Sequence, residues 1–409
     1  MGGKIAIIGT LDTKGRELRY IQEVIQKTGL GTLIIDCGVM GKPQFAPDIS
    51  AAEVAKAGGS SLSDLVERAD RGQAIDTMMR GAAAVVRELY ERGEVAGVIG
   101  LGGSAGTTIA TCAMRALPVG VPKVMVSTMA SGDVRPYVDV KDITMMYSVV
   151  DIGGLNKLSS RILANAAYAV AGMVKGEPPA VGEEKTLIGA TMFGVTTPCV
   201  TKAREYLEER GYEVLVFHAT GTGGRAMESL IESGFIKGVL DVTTTEWCDE
   251  LVGGVLSAGP TRLEAAGKVG IPQVVSVGAL DMVNFGPWDT VPEKFRGRNL
   301  YKHNPSVTLM RTTVEENAEL GKIIAHKLNM ANGPTALFLP LKGVSAYDRE
   351  GGPFYGPEED TALFTAIRQN INRNKVELVE LDLHINDPEF ALAMAEKLIE
   401  FMHRQENKI

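Results

Sequence analysis

Cysteine, aromatic residues and long apolar runs are all scarce in this 409-residue chain, and these scarcities argue against several classes of protein. The four cysteines are widely spaced without a CxxC pair, which argues against a disulfide framework and a zinc ribbon. No apolar run is long enough to cross a membrane. The opening MGGKIAIIG enters a predicted strand directly and lacks the features of a signal peptide or a myristoylation signal. We therefore expect a soluble, cytoplasmic protein.

Basic residues are also in the minority, with 42 Lys and Arg against 50 Asp and Glu and a formal net charge of -8. Nucleic acids and anionic membranes are bound through concentrated basic surfaces, so neither is an expected partner. The apolar share of 45% and the charged share of 22% match ordered globular domains rather than disordered chains. The 47 glycines suit parallel sheets joined by tight turns.

Short apolar runs alternate with helical patterns along the whole chain. KIAIIG (4–9) and TLIIDCG (32–38) are predicted strands separated by a helical pattern, and the same order restarts after a segment rich in Pro, Gly and Glu. This alternation predicts parallel sheets flanked by helices. We predict two Rossmann-like α/β domains, 1–178 and 185–409, joined by a linker at 179–184.

The loop GLGGSAGTT (100–108) is the strongest candidate for a binding site in the first half. It follows a predicted strand and opens a helix, the place where α/β sheets bind ligands. Helix N-termini attract anions, and glycines let the backbone approach them closely. The loop lacks the Lys-Ser/Thr pair of a P-loop. We favour anion binding over a purely structural glycine turn.

Three further loops of the first half place hydroxyls, glycines or acids after a strand. GTLDTKG (9–15) suits phosphate binding and simple helix capping equally well. STMASGD (127–133) and YSVVDIGGLN (147–156) complete the set. If the sheet gathers the four loops, they form a pocket for a triphosphate with Mg²⁺. The predicted nucleotide-binding residues are Gly9, Thr10, Asp12, Thr13, Lys14, Gly38, Gly102, Gly103, Ser104, Gly106, Thr107, Thr108, Thr128, Ser131, Gly132 and Gly153, and the predicted metal ligands are Asp12 and Asp151.

These four loops, in this order, resemble those of the Tm-type ATP-binding protein family, the family of the tomato mosaic virus resistance protein. The resemblance extends over essentially the whole chain. It implies two Rossmann-like subdomains, ATP bound by the N-terminal one, and homodimers. An antiviral role belongs to the plant protein and is not implied for this chain.

The second half carries its own polar residues at predicted strand ends. A histidine ends a strand before the glycine turn TGTGG, and acids lie in DVTTTEWCDE and GALDMVNFG. Such groups transfer protons or bind metals, although a structural histidine and solvated acids are the plain alternatives. The predicted catalytic residues are His218, Asp241, Glu246 and Asp281.

Two longer segments of the second half have no regular pattern. LKGVSAYDREGGPFYGPEED (341–360) suits a mobile loop that closes over a polar substrate, or an ordinary surface loop. PWDTVPEKFRGRNLYKHNP (287–305) is basic and aromatic, which suits a small anion site but favours an interface.

Three functions therefore stay open. The first is an ATP-binding protein, which as an enzyme would transfer a phosphoryl or adenylyl group to a small polar substrate. The second is a metal-assisted isomerase, aldolase or hydrolase acting on a sugar acid or phosphorylated metabolite in the second domain. The third is a non-enzymatic, ATP-stabilised homodimer that binds proteins.

Overall fold

The computed structural model describes residues 3–177, 179 and 184–406. The chain divides into two compact units, Met1–Ala180 and Val181–Ile409. Each unit holds a parallel sheet with helices packed on it, so the predicted α/β fold with two Rossmann-like domains is confirmed. Most of the predicted linker 179–184 lies outside the described residues.

The first unit is an alternation of strands and helices. Its strands are β1 (Lys4–Gly9), β2 (Thr32–Asp36), β3 (Val95–Gly102), β4 (Lys123–Ser127) and β5 (Thr144–Tyr147). Its helices are α1 (Leu11–Lys27), α2 (Ala51–Ala57), α3 (Leu62–Arg68), α4 (Arg71–Glu91), α5 (Ser104–Arg115), α6 (Arg135–Val138) and α7 (Lys157–Lys175).

The strands of the first unit form one sheet in the order β2-β1-β3-β4-β5, with every pair parallel. Helices cover both faces, because alternate side chains of β1 enter different apolar clusters. Ile5 and Ile7 pack with α1 and α7, whereas Ala6 and Ile8 pack with residues of α2, α4 and α5. The carboxyl ends of all five strands lie along one edge. Between β1 and β3 the order reverses, which is where such sheets bind ligands.

The second unit continues the numbering. Its strands are β6 (Leu187–Met192), β7 (Glu213–His218), β8 (Ile236–Thr243), β9 (Gln273–Gly278), β10 (Met282–Phe285), β11 (Leu300–Asn304), β12 (Val307–Arg311), β13 (Thr335–Pro340) and β14 (Val376–Leu381). Its helices are α8 (Thr197–Glu208), α9 (Thr222–Glu232), α10 (Glu246–Val252), α11 (Ala265–Val269), α12 (Val314–Asn329), α13 (Pro357–Asn370) and α14 (Pro388–Glu406).

The main sheet of the second unit has the order β14-β13-β9-β8-β6-β7 and is also parallel. When the strands are numbered within their own sheet, both parallel sheets contain the order 2-1-3-4-5, which agrees with the similar sequence patterns of the two halves. A second, antiparallel sheet in the order β10-β12-β11 was not predicted. One strand of this sheet, β11, lies within the segment 287–305. Among the described residues, no helix combines the length and apolar character that a membrane crossing requires.

Candidate functional site

The start of α5 lies at the carboxyl edge of the first sheet and has no side-chain cap among the described residues. The preceding residue, Gly103, has no side chain that can accept the first N–H groups of this twelve-residue helix. These groups and the helix dipole make the start of α5 attractive to an anion. Ser104 is exposed there, and Thr128 of the neighbouring loop is half-buried.

The glycines of this loop have two different roles. A Cβ on Gly102 would lie 2.8 Å from Cα of Gly106, and one on Gly106 would lie 3.2 Å from the carbonyl oxygen of Leu101. Glycine is therefore required at 102, where α5 packs closely on β3, and a side chain at 106 would be tight. A Cβ on Gly103 would meet its nearest neighbour, Oγ1 of Thr128, at 3.7 Å. The fold tolerates a side chain at Gly103, so the open space beside it is available to a ligand.

The hydroxyls predicted to bind nucleotide also divide into two groups. Oγ1 of Thr107 is buried and lies 2.6 Å from Oγ of Ser127, which fixes α5 to the end of β4. Thr108 donates to the carbonyl of Ser104 at 2.9 Å within the helix. Ser104, Thr128 and Ser131 lie towards solvent and are the hydroxyls best placed for a ligand.

The loop after β1 is held by internal carboxylates. Oδ1 of Asp36 accepts the N–H of Leu11 at 3.0 Å and that of Gly38 at 2.9 Å. Oδ2 of Asp12 accepts the N–H of Met40 at 2.8 Å. Burial raises the pKa of Asp36. With these acids beside it, the start of α1 is a weaker anion site than the start of α5.

Asp12 nevertheless keeps one unused atom. Its Oδ1 is buried and has no hydrogen-bond partner among the described residues. A Cβ on Gly38 would lie 2.7 Å from that oxygen, so glycine at this position makes room for the carboxylate. The described residues contain no group of three or more His, Cys, Asp or Glu arranged to hold a metal ion. A metal ion at Asp12 would therefore need oxygens from a ligand such as a phosphate.

The segment after β5 is joined by hydrogen bonds to two of the other predicted loops, 127–133 and 9–15. Ser148 donates its N–H to the carbonyl of Ser127 at 3.1 Å. Further on, the Lys14 ammonium contacts the carbonyl oxygen of Ile152. A buried carboxylate of α1, Oε1 of Glu17, then accepts the N–H of Gly154 at 2.5 Å. The segment 148–154 therefore runs from the end of β4 to α1, past the reversal between β1 and β3.

Backbone strain marks the same segment. Val149 has φ +65°, a left-handed conformation that β-branched residues rarely adopt, and 55% of its surface is exposed. Strained residues of this kind concentrate at binding and catalytic sites. Asp151, a predicted metal ligand, is exposed, and its Oδ1 accepts the N–H of Ile152 at 2.8 Å. Thr10 and Thr13, on the α1 side, hydrogen-bond to each other through their hydroxyls at 2.8 Å.

In the second unit, two predicted catalytic acids surround a buried arginine. The guanidinium of Arg262, 1% exposed, donates from Nη1 to Oδ2 of Asp241 at 2.6 Å and from Nε to Oε2 of Glu246 at 2.7 Å. Glu228 lies 3.6 Å away, and burial raises the pKa of its carboxyl to about 7. Thr191 also donates to Asp241 at 2.6 Å. These contacts make Asp241 and Glu246 part of the internal packing of the unit.

Glu246 also occupies the glycine turn of the second unit. Its Oε1 accepts the N–H of Gly221 at 2.7 Å and that of Gly224 at 3.1 Å. A Cβ on Gly224 would lie 2.2 Å from Oε2 of Glu246, so no other residue fits there. The start of α9 is therefore neutralised by a carboxylate of the protein itself. Among the described residues, no carboxylate accepts the first N–H groups of α5 in the way that Glu246 does at α9.

The other two predicted catalytic residues lie elsewhere. Asp281 is fully buried, and its Oδ2 accepts a hydrogen bond from Ser345 at 2.7 Å. Burial raises the pKa of the Asp281 carboxyl to about 7. His218 is exposed at the end of β7. The four predicted residues thus have separate surroundings, with only Asp241 and Glu246 sharing a partner, Arg262.

Two arginines around which buried acids of the second unit lie, Arg262 and Arg311, were not predicted from the sequence. Neither belongs to a motif. The only sequence signal for Arg262 is its place in a stretch, SAGPTRLEAAG, where few charges break an apolar pattern. Such a signal does not distinguish a buried arginine from a surface one.

The fold and loops define a class of two-unit α/β proteins whose first unit carries an open glycine loop. The chain belongs to the Uncharacterised protein family (UPF0261), whose N-terminal domain matches residues 3–179 and whose C-terminal domain matches residues 185–402. The family resemblance predicted from the loops is thereby confirmed, while ATP binding stays a prediction.

Among its relatives is a UPF0261 protein of Clostridium tetani, 64% identical over 404 residues, with 99% of this chain and all of the relative covered. The ToMV resistance protein Tm-1 of Solanum lycopersicum is 42% identical over 420 residues, which cover 97% of this chain but 55% of the tomato protein. A solved structure of S. aureus MnaA with UDP is 9% identical to this chain, with a TM-score of 0.21. The alignment covers 100% of this chain and 98% of the MnaA chain. That likeness carries no argument about the site.

Proposed function

We propose that the first unit binds a phosphate-bearing nucleotide, foremost ATP, at the start of α5. The observation that carries this proposal is the uncapped helix start beside the open space at Gly103. Phosphate oxygens would accept the free N–H groups of the helix, and the hydroxyls of Ser104 and Thr128 would add donors. The strained backbone at Val149, on the segment that hydrogen-bonds to the loops 127–133 and 9–15, supports a ligand site at this edge.

The contrast between the two units supports the same choice. In the second unit the turn that starts α9 is filled by the carboxylate of Glu246. An anion there would have to displace a buried carboxylate that is paired with Arg262. We therefore propose one nucleotide per chain, held by the first unit.

Lys14 and Asp12 are the residues we propose for the phosphate charge and for Mg²⁺. Among the described residues, the hydrogen-bond acceptor at the Lys14 ammonium is a neutral carbonyl, that of Ile152, which a phosphate would replace as a stronger partner. Oδ1 of Asp12 has no hydrogen-bond partner among the described residues and would suit Mg²⁺ that also binds phosphate oxygens. If the protein is an enzyme, positioning by these groups suits phosphoryl or adenylyl transfer.

The test is calorimetric titration of ATP, with and without Mg²⁺, into the wild type and Gly103→Val. The valine should leave the fold intact, because space surrounds the position, and should weaken ATP binding at least tenfold by filling that space. Gly172→Val is the matched control: Gly172 is exposed on α7 and has no described atom within 4 Å of an added Cβ. The control should bind ATP as the wild type does.

Two outcomes would contradict the proposal. One is the absence of ATP binding by the wild type with Mg²⁺ present. The other is equal affinity of Gly103→Val and the wild type. A parallel assay for release of ADP or AMP separates an enzyme from a non-enzymatic ATP-stabilised protein, and gel filtration with and without ATP tests the proposed homodimer.

A further inference from the structure

An open cleft lies at the amino edge of the main sheet of the second unit, opposite the carboxyl ends of the strands. Its volume is about 610 Å³, which is within the range of small-molecule binding sites. The strands β13 and β14 begin at the cleft, and the last turns of α14 flank it. We call it the amino-edge cleft; its lining includes Thr335, Arg373, Lys375, Glu377, Arg404 and Gln405.

Positive charge is concentrated in this cleft. Cations are in the minority in this chain, whose formal net charge is -8, yet three of the lining side chains are cationic. Arg373 and Lys375 are exposed, and neither forms an ion pair among the described residues. The Lys375 ammonium donates to the neutral carbonyl of Asn329 at 3.0 Å. An anion in the cleft would be a stronger partner for both side chains.

The carboxylates beside the cleft are already paired. Glu377 lies 2.8 Å from Nζ of Lys397. Glu400 pairs with Lys397 at 2.7 Å and also with Arg404. These two acids and two cations balance each other, so the charges of the two unpaired cations are left over. The cleft therefore attracts an anion that carries about two negative charges.

A neutral acceptor in the lining also lacks a partner. Oε1 of Gln405, near the end of α14, is buried and has no hydrogen-bond partner among the described residues. The other end of the same amide, Nε2, donates to the carbonyl of Gly270 at 3.5 Å. A buried acceptor without a donor is costly, and an amide oxygen accepts O–H donors. A ligand that carries a hydroxyl group would remove this cost.

The floor of the cleft is preformed. A Cβ on Gly333 would lie 2.5 Å from the carbonyl carbon of Gly270, so the chain segments that enter β9 and β13 touch through their backbones. Thr335 is buried, and its hydroxyl donates to the carbonyl of Gly333 at 3.0 Å and accepts from Nε2 of Gln273 at 3.1 Å. A ligand would thus meet a fixed surface, which lowers the entropic cost of binding.

The position of the unpaired cations separates them from ordinary helix-end charges. Cations in the last turn of a helix stabilise its carbonyl end, and Arg404 in α14 suits that role. Arg373 and Lys375 instead lie beyond the end of α13, in the turn before β14. Binding of an anion gives these two cations a role that helix stabilisation does not.

We propose that the amino-edge cleft binds a small metabolite that combines a dianionic group with a hydroxyl, as sugar phosphates do. This site is independent of the nucleotide site proposed for the first unit. Arg373 and Lys375 bind the anionic group, and Oε1 of Gln405 accepts the hydroxyl. We assign binding to this cleft and no catalytic step.

Calorimetric titration of the whole protein with two inorganic probes tests the proposal. Near pH 8, hydrogen phosphate and sulfate both carry about two negative charges, and only the phosphate has a hydroxyl. The wild type should bind both ions and prefer phosphate. The double variant Arg373→Ala with Lys375→Ala should bind both about tenfold more weakly or less, because two charged donors are lost. Gln405→Leu should still bind sulfate but should lose the preference for phosphate.

Arg349→Ala is the matched control, because Arg349 is an exposed arginine of the same unit outside the lining of the cleft. It should bind both ions as the wild type does. Hydrogen exchange followed by mass spectrometry locates the bound phosphate. Phosphate should protect peptides that cover 332–335 and 372–376, and should do so equally in Gly103→Val, whose change lies in the first unit.

Three results would overturn the proposal. The first is a wild type that binds neither ion, and a loss of thermal stability in the double variant would then assign the cations to the helix ends alone. The second is equal affinity of the double variant and the wild type. The third is protection by phosphate near α5 without any at the cleft. Because Arg373 and Lys375 are exposed, the double variant should fold, which circular dichroism checks.

Discussion

Replacing Glu246 by alanine should destabilise the second unit by about 3–5 kcal/mol, the usual cost of removing one partner from a buried ion pair. The variant loses the acceptor of the N–H groups of Gly221 and Gly224 and one of the carboxylates around Arg262. Asp241 still pairs with Arg262, which keeps the expected loss within this range. Glu246→Gln retains an oxygen for the two N–H groups and should lose less.

The assay uses the distribution of tryptophan in the chain. Both tryptophans, Trp247 and Trp288, belong to the second unit, so fluorescence during urea unfolding reports on that unit alone. Glu208→Ala serves as the control, because Glu208 makes an exposed i,i+4 pair with Arg204 at 3.6 Å. Pairs of this kind contribute about 0.3–0.5 kcal/mol.

A third measurement asks whether the vacated turn binds anions. Formate or phosphate should restore part of the stability of Glu246→Ala, since each supplies oxygens to the freed N–H groups. The structural role of Glu246 would be refuted by a loss below about 1 kcal/mol without any rescue. That result would return Glu246 to the set of catalytic candidates.

Two further predictions concern charge and strain. Burial raises the pKa of Glu228 and of Asp249 to about 7, so the stability that these groups add is complete below about pH 4 and is lost as the pH rises through 7. The free energy of unfolding, from urea titrations followed by tryptophan fluorescence, should therefore fall between pH 5.5 and pH 8, by up to about 1.4 kcal/mol per pH unit for each extra proton that the folded protein binds, and a rise would contradict this assignment. Val149→Gly should raise the thermal midpoint of the first unit, because a strained residue costs roughly 1–3 kcal/mol; an unchanged or lower midpoint in circular dichroism would argue against strain at φ +65°.

Sequence periodicity was enough to predict the parallel sheets, because their buried strands are short apolar runs bounded by turns. The runs KIAIIG and TLIIDCG form β1 and β2, which pair in the first sheet. The antiparallel sheet was missed because LYKHN, which forms β11, is polar and largely exposed and shows no alternation. The helix Ala51–Ala57 was missed for a similar reason, although Ser50 and Glu53 form a capping box at its start.

The candidate site was harder to predict from the sequence than the fold, because a sequence pattern shows residue types and not the partners of their side chains. Asp36 ends β2 and Asp12 comes shortly after β1, and only the structure shows that each holds a backbone loop. Glu246 has the same acidic character as a catalytic residue, but its partner Arg262 lies 16 positions away with no motif between them. The glycines raised the same difficulty, since Gly102 is required by packing and Gly103 is not.

The carboxylate in the turn before α9 has one further consequence. A free anion fills such a turn only in proportion to its concentration, whereas a tethered group has an effective concentration far above that of most metabolites. Glu246 therefore keeps the turn occupied whatever the supply of nucleotides in the cell. The second half of the protein gains constant stability from this arrangement and gives up the ability to sense a ligand at that turn. If a glycine turn of this protein binds a metabolite in proportion to its concentration, we expect it to be the turn before α5 in the first half, which has no side-chain cap.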